Sequence, residues 1–386
     1  MVIPFELKTE DKLLIYLSQT SMNPETEEKV NNLFGEKINW NYILDKGSYH
    51  GLRSLLYFNL KNYSDKVPED ILNLLKDYFV SNTHKNLLFL GEMLKLYKIF
   101  EENNITSIPY KGPVMAVYGY GSLSLREFGD LDIFIDKNDF SRVKNILLDE
   151  NYEPVLKLNS SKEAEYLKSQ REYKFKNLEN GLILEIQWNV VGFSFSFPYE
   201  SSFPINQDKL KFISINDKSV NIFSDEDLLL ILSLHVAGHL WSRLSWLCDI
   251  VELIKKSEGM NWNQIIDKAN YLAIERILYL NLSLSHKLFD LKLPENIQEK
   301  IKEDPQVEIL ENQILKLIFF PENFSILNKV KLRFKIRENK LNGFKDIIKI
   351  LTIPQSDEWH SFKEKGTNNL WYVFKRPVQI IKRLKE

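Results

Sequence analysis

Residues Phe128 to Asp136 read FGDLDIFID, with Asp130 and Asp132 standing two apart at the head of an apolar run. Successive side chains of a strand alternate faces, so both carboxylates share one face while Leu131, Ile133 and Ile135 fill the other. One face is acidic and the other greasy, which asks for a strand with a core on one side only. Two neighbouring carboxylates repel each other unless something positive lies between them, and hard oxygen ligands of this kind suit Mg²⁺ or Mn²⁺. In isolation the pattern more often marks a solvated pair at the start of an edge strand, because Asp-x-Asp is a common sequence.

The surroundings narrow this. Upstream, Asn103 to Tyr120 reads NNITSIPYKGPVMAVYGY: a helix stop at Asn103 and Asn104, a short strand from Ile105 to Tyr110, then Lys111, Gly112 and Pro113 opening a helix. A strand ending in a Gly turn at a helix start suits a phosphate: free N–H groups and the helix dipole favour an anion, and Lys111 adds positive charge. An ordinary turn has the same residues. The Gly121-Ser122 pair lies nearer Asp130, but leaves too little chain for a helix before the acidic strand. Downstream, Leu182 to Trp188, LILEIQW, has strand character with Glu185 as its only charge. A central carboxylate is costly to bury unless it is paired or binds metal.

Strand, Gly turn, helix, Asp-x-Asp strand and a third carboxylate on a later strand is the order of the DNA polymerase β-like nucleotidyltransferase fold. The run KGPVMAVYGYGSLSLREFGDLDIFID resembles the signature of the bacterial "nucleotidyltransferase family protein" group, with Lys111, Gly112, Tyr118, Arg126, Asp130 and Asp132 in its positions. Glu185 opens what in that family is a Glu-hydrophobic-His-Trp motif, and here Gln187 replaces the His. Asp227 to Ile254 is similar to the family's helical continuation, with His235, His239, Arg243, Trp246 and Asp249 at its polar and aromatic positions. Leu370 to Leu384, LWYVFKRPVQIIKRL, resembles its closing segment.

The resemblance implies an α+β fold: a polymerase β-like core of small mixed sheet and helices, flanked by N-terminal and C-terminal helical regions. It implies an Mg²⁺- or Mn²⁺-dependent transfer of NMP from an NTP, with ATP the expected donor, to an acceptor that the sequence does not name: small molecule, peptide, protein or RNA. Asp130, Asp132 and Glu185 would be catalytic and hold metal. Lys111 and Gly112 would hold the β and γ phosphates, and Arg126 would be a second clamp, since a guanidinium grips two oxygens at once; a salt bridge with Glu127 or Asp130 is its plain alternative. His239 and Arg243 would contact nucleotide or acceptor. His235 and His239, four apart, share a helical face, yet Val236, Ala237 and Gly238 between them offer no Glu for a His-Glu-x-x-His metalloprotease. Core histidines are the alternative. Trp241, Trp246 and Leu247 read as core, and Cys248 as structural. The competing class of function is a silent nucleotidyltransferase scaffold that binds nucleotide, RNA or a partner protein, or one that modifies a specific partner by AMPylation.

At 386 residues, with 44% hydrophobic and 27% charged, the chain has ample material for a core. Its single cysteine excludes an intrachain disulfide and any thiolate zinc cluster, and no stretch has the apolar length of a membrane span. We expect a soluble, cytoplasmic protein. Net charge is −2, but Lys329 to Glu386 holds fifteen Lys or Arg against six Asp or Glu, so that segment carries +9 and the remainder −11. A basic tail suits a nucleic-acid or other anionic partner, or a solvated helical face docked on the acidic body. Three regions are expected: helical residues 1–104, ending in a long helix from Glu69 to Asn104; a catalytic core at 105–220 with alternating strands and helices; and a helical region at 221–386, opened by a Ser224 cap.

Overall fold

The computed structural model describes residues 5–192, 195–199, 203–205, 207–257, 259–354 and 358–359. The closing segment 370–384 and the end of the basic tail therefore lie outside the described residues.

The chain opens with helices α1 (Thr9–Tyr16), α2 (Pro24–Leu33), α3 (Trp40–His50), α4 (Arg53–Leu60) and the long α5 (Glu69–Glu102). Asn23 and Asn39 start α2 and α3 by accepting a backbone N–H with their side chains. α5 follows Pro68 and stops at Asn103, as its sequence boundaries suggest. The central part then runs β1 (Ser107–Pro109), α6 (Gly112–Tyr118), β2 (Asp130–Ile135), α7 (Phe140–Asp149), β3 (Tyr152–Pro154), α8 (Ser160–Ser169), β4 (Glu172–Asn177) and β5 (Ile183–Gln187), followed by a hairpin of β6 (Lys211–Ile215) and β7 (Lys218–Ile222). Helices α9 (Asp225–Gly238), α10 (Leu244–Lys256), α11 (Trp262–Tyr271), α12 (Glu275–Phe289), α13 (Glu295–Glu303), α14 (Pro305–Phe319), α15 (Ile326–Lys335) and α16 (Lys340–Thr352) complete the described chain. The Ser224 hydroxyl caps α9 by accepting the Asp227 N–H at 3.2 Å.

The main sheet has the order β1-β2-β5-β4-β3 and is mixed: β2 and β5 run parallel, and the other pairs antiparallel. Its apolar face, with Leu131, Ile133, Ile135, Leu184 and Ile186, packs into one core with α7 and the C-terminal half of α5, from Phe89 to Phe100. A second core joins α1, α3 and α4 to α9, α10, α12 and α14, with Ile71 and Leu75 of α5 in it. Thr20 Oγ1 donates to Glu252 Oε2 at 2.6 Å and Lys255 to Gln19 at 2.9 Å, tying the segment after α1 to α10 across that core. α5 thus spans both cores, and its midpoint faces the loop that leads into β2.

One expected element differs. The run from Asp227 to Ile254 breaks at His239–Arg243, where Leu240 and Trp241 take positive φ of 52° and 53°. Trp241 is fully buried and donates its indole N–H to Asn281 at 2.8 Å, so packing holds a conformation that neither residue favours locally.

Candidate active site

Parallel pairing sets β2 against β5 with Asp132 opposite Glu185 and Asp130 opposite Ile183. Because side chains alternate, Asp130, Asp132, Glu185 and Gln187 share the face turned from the apolar core. β4 adds Lys174, directly opposite Glu185, so Asp132, Glu185 and Lys174 form one row across three strands. The Lys111-Gly112 turn, at the end of β1, meets this row beside β2.

Hydrogen bonds fix the acids in different states. Lys111 Nζ lies 3.3 Å from Asp132 Oδ1, and both side chains are buried. Burial alone would lower the Lys111 ammonium, but Asp132 beside it holds it above the ordinary lysine value. Gln187 is fully buried and donates its amide to Asp132 Oδ1 at 2.6 Å and Glu185 Oε2 at 3.0 Å, while its carbonyl accepts from the Tyr110 hydroxyl. Lys174 closes on Glu185 Oε1 at 2.6 Å. Burial would raise the Glu185 carboxyl, but Lys174 first, then Arg171 and Lys111, together more than offset it, leaving Glu185 below its usual value. Asp130 meets no hydrogen-bond donor among the described residues, and burial, then Asp132, then Glu185, push it up to about 6.

Gly112 has φ of +45°, and a Cβ there would sit 3.4 Å from the Asp130 carbonyl and 3.6 Å from the Phe128 ring. The glycine lets the turn lie against the start of β2, a different reason from the phosphate approach read in the sequence. Arg126 turns from the acids and forms a bidentate pair with buried Asp249 on α10, at 2.8 Å through both Nε and NH2. The Asp249 carboxylate also accepts from Tyr120 at 2.8 Å. The salt bridge considered for Arg126 is therefore real, but its partner is neither Glu127 nor Asp130. Asn86 and Asn82 of α5 donate to the Arg126 carbonyl at 2.8 and 3.1 Å, and Lys85 donates to the Phe128 carbonyl. These three side chains hold the loop that aims Asp130.

His239 caps the end of α9, with its ring 4.7 Å from both His235 and Trp246. Burial first, then Lys111 and His239, lower His235 well below an ordinary imidazole, so it is neutral. Arg243 is exposed just before α10, with its guanidinium 5.7 Å from the Trp246 ring. Trp246 is thus a half-buried wall beside the histidines, whereas Trp241, Leu247 and Cys248 are fully buried core. The structure gathers Lys111, Asp130, Asp132 and Glu185 on one face, and places Arg126 and Arg243 together in an adjoining cavity. Sequence reading missed Lys174, Lys85 and the double donation by Gln187. The alternation of Glu172-Tyr-Lys174 on β4 was the available signal.

Among the described residues, no group of three or more His, Cys, Asp or Glu side chains is gathered closely enough to hold a metal ion. The acids contribute a pair, Asp130 with Asp132, because both Glu185 oxygens are engaged by Lys174 and Gln187. A pair of hard oxygens, one of them undonated and crowded by like charge, fits a divalent ion that keeps most of its water.

A small mixed sheet with acids in register on its central parallel strands, entered through a Lys-Gly turn and wrapped by helices, defines a nucleotidyltransferase. Residues 36–290 match the family described as "Uncharacterised nucleotidyltransferase", and the chain belongs to that family and is a transferase of that class. The match takes in α3 to α12, so of the N-terminal helices α3, α4 and α5 are part of it, while α1 and α2 precede it. No curated protein matches the sequence. Among solved structures, the lincosamide antibiotic adenylyltransferase LnuA, lincomycin-bound, is 19% identical with a TM-score of 0.32, covering 43% of this chain and 97% of that one. The antibiotic-resistance factor ANT(2'')-Ia is 11% identical with a TM-score of 0.31, covering 53% of this chain and 94% of that one. An antigenic nucleotidyltransferase-like protein from Paracoccidioides brasiliensis is 15% identical with a TM-score of 0.28, covering 50% of this chain and 89% of that one. No helix among the described residues is long and apolar enough to cross a membrane.

Proposed function

We propose that this nucleotidyltransferase moves NMP from an NTP, with ATP the expected donor, to an oxygen of its acceptor. The observation that carries the reading is the pairing of Asp132 with Glu185 across parallel strands, with Asp130 on the same face. The acceptor oxygen forms a bond to the α phosphorus, the bond from that phosphorus to the bridging oxygen breaks, and pyrophosphate leaves with the electron pair. The acceptor's proton goes to a carboxylate of this face. Glu185 is the base suggested by sequence, but Lys174 at 2.6 Å makes it a weak one, and its clearer part is to complete the negative face.

Asp130 and Asp132 would hold Mg²⁺ or Mn²⁺, with Glu185 joining when Lys174 yields, and the ion would supply charge neutralisation on the phosphates. Lys111 steadies Asp132 from the turn side and stands ready to meet phosphate charge there. Gly112 keeps that turn against β2. His239 and Arg243 border the approach from the α9–α10 break.

The test is incubation of the purified chain with α-labelled ATP, Mg²⁺ and a cell extract, followed by identification of the labelled product. Label should move to one acceptor class and pyrophosphate should appear, and Asp130→Asn with Asp132→Asn should abolish both while the circular dichroism spectrum stays unchanged. Equal activity in the double variant, or no pyrophosphate from any NTP across a broad panel, would remove the reading.

A further inference from the structure

A cavity of about 250 Å³ lies beside the carboxylate face, walled by the loop that precedes Asp130, the α3–α4 junction, α5 and the start of α10. Four of its lining side chains are cations, Arg53, Lys85, Arg126 and Arg243, and two are carboxylates, Glu127 and Asp249. Arg53 pairs with Glu127 at 3.1 Å and Arg126 with Asp249 at 2.8 Å, so each acid is matched by one cation. Lys85 and Arg243 remain as an excess of positive charge.

Arg126 adds a second observation. Its Nε and NH2 are both taken by Asp249, while NH1 is buried and meets no acceptor, in a residue only 9% exposed. Leaving a buried donor unpaired is costly, and more so for a charged group. An anion in the cavity would give NH1 its acceptor through a charge-assisted bond and offset the excess charge together.

The cavity's size and walls say which anion. It is smaller than the ~300–1,000 Å³ of pockets that enclose whole drug-sized ligands, so it seats one terminal group. Lys111 and Gly112, the proposed seat of the NTP phosphates, are not among its lining residues, whereas Gly129, the neighbour of Asp130, is. Arg53, Lys85 and Arg243 come from helices outside the sheet or the turn leading into one. The cations thus lie on the acceptor's side of the acids.

We infer that this cavity is an anion subsite for the acceptor: the molecule that receives NMP carries a phosphate or carboxylate, which seats against Arg126 NH1, Arg243 and Lys85 while its attacking oxygen reaches the Asp130 side of Gly129. This rests on the nucleotidyl-transfer reading above and names the acceptor's chemical class. The transfer makes and breaks the bonds already described, and the seated anion is unchanged by it.

The experiment uses the full chain and inorganic phosphate as probe, titrated calorimetrically alone and again with a non-hydrolysable ATP analogue and Mg²⁺ at saturation. Phosphate should bind saturably, and should still bind with the analogue in place. Arg243→Gln, at an exposed position, and Ser245→Glu, which puts a carboxylate into the same wall, should each weaken phosphate at least tenfold without changing the circular dichroism spectrum. Displacement of phosphate by the analogue would give the cavity to the NTP and overturn the inference. Non-saturable binding, or binding undiminished in both variants, would overturn it by removing the site. A chain that binds phosphate in the cavity but never binds the analogue would fail at the nucleotidyl-transfer premise, and one that transfers nucleotide without a phosphate site would fail at the subsite alone.

Discussion

Replacing Asp130 with asparagine should stabilise the metal-free protein while destroying its activity. Burial, Asp132 and Glu185 push the Asp130 carboxyl from 3.8 up to about 6. At ~1.4 kcal/mol for each tenfold change in proton affinity, that rise means that the ionised side chain costs the fold about 3 kcal/mol. Asp130 keeps part of its surface in water, so screening makes this an upper figure. The sign follows from which state binds the proton more tightly. Below the unfolded value of 3.8 the group is protonated in both states and costs nothing; the cost grows between 3.8 and about 6 and is full above that. At about pH 5 it is therefore near half its neutral-pH size, ~1.5 kcal/mol. With an unfolding entropy of ~2 cal/mol/K per residue, 386 residues give roughly 0.8 kcal/mol/K, so the gain above pH 7 is about 2–4 °C. Thermal melts in EDTA, wild type against Asp130→Asn, should show that gain at about pH 8 and about half of it at pH 5. Adding Mg²⁺ should then raise the wild type and leave the variant unmoved, since an ion binding only the native state stabilises by RT ln(1 + [L]/Kd). A variant no more stable than wild type in EDTA at pH 8, or a gain that does not shrink at pH 5, would refute the crowding argument.

Other substitutions test the supports of the acid face. Gln187→Leu strips Asp132 and Glu185 of a shared buried donor and should cost about 2–4 kcal/mol in urea unfolding, with loss of transferase activity. Asp249→Ala leaves the Arg126 guanidinium buried without its partner and should cost about 3–5 kcal/mol, read as a lower urea midpoint with an unchanged m-value. Gly112→Ala forces a side chain into φ of +45°, close against the Asp130 carbonyl, and should cost about 1–2 kcal/mol and lower kcat through the displaced start of β2.

How much of this was written in local sequence depends on the range of each interaction. The alternation in FGDLDIFID predicts the two faces of β2 because a strand's period is a property of neighbours, and both faces are found. The limits of α5 are legible for the same reason: Pro68 and Asn103 act within one turn. What α5 touches is not legible, because Asn82 and Asn86 reach the Arg126 carbonyl across more than thirty residues of sequence, and in a helix they read as plain polar positions. The break between α9 and α10 carries no proline, and its two positive-φ residues are Leu240 and Trp241. Only the burial of Trp241 and its bond to Asn281, forty residues on, explain it. Lys174 looks like a solvated lysine on an alternating strand until antiparallel pairing lays it opposite Glu185.

Gln187 reverses the meaning first read into it. Set against the His of the related motif, glutamine looks like the loss of a functional group. In the structure its amide donates to Asp132 and Glu185 at once and accepts from Tyr110. A neutral imidazole has one donor, and could satisfy both acids only as a cation, which would leave the Tyr110 hydroxyl facing a group with no acceptor. The amide does this without charge. Positive charge then meets the face at its flanks, Lys111 at Asp132 and Lys174 at Glu185, with Arg171 adding its field to both acids. Two of the three acids are in direct contact with protein cations and an amide, and among the described residues Asp130 contacts neither. The unmet charge that the Asp-x-Asp pattern implied is thus concentrated on one carboxylate at the open head of β2, which is where a divalent ion would contribute most.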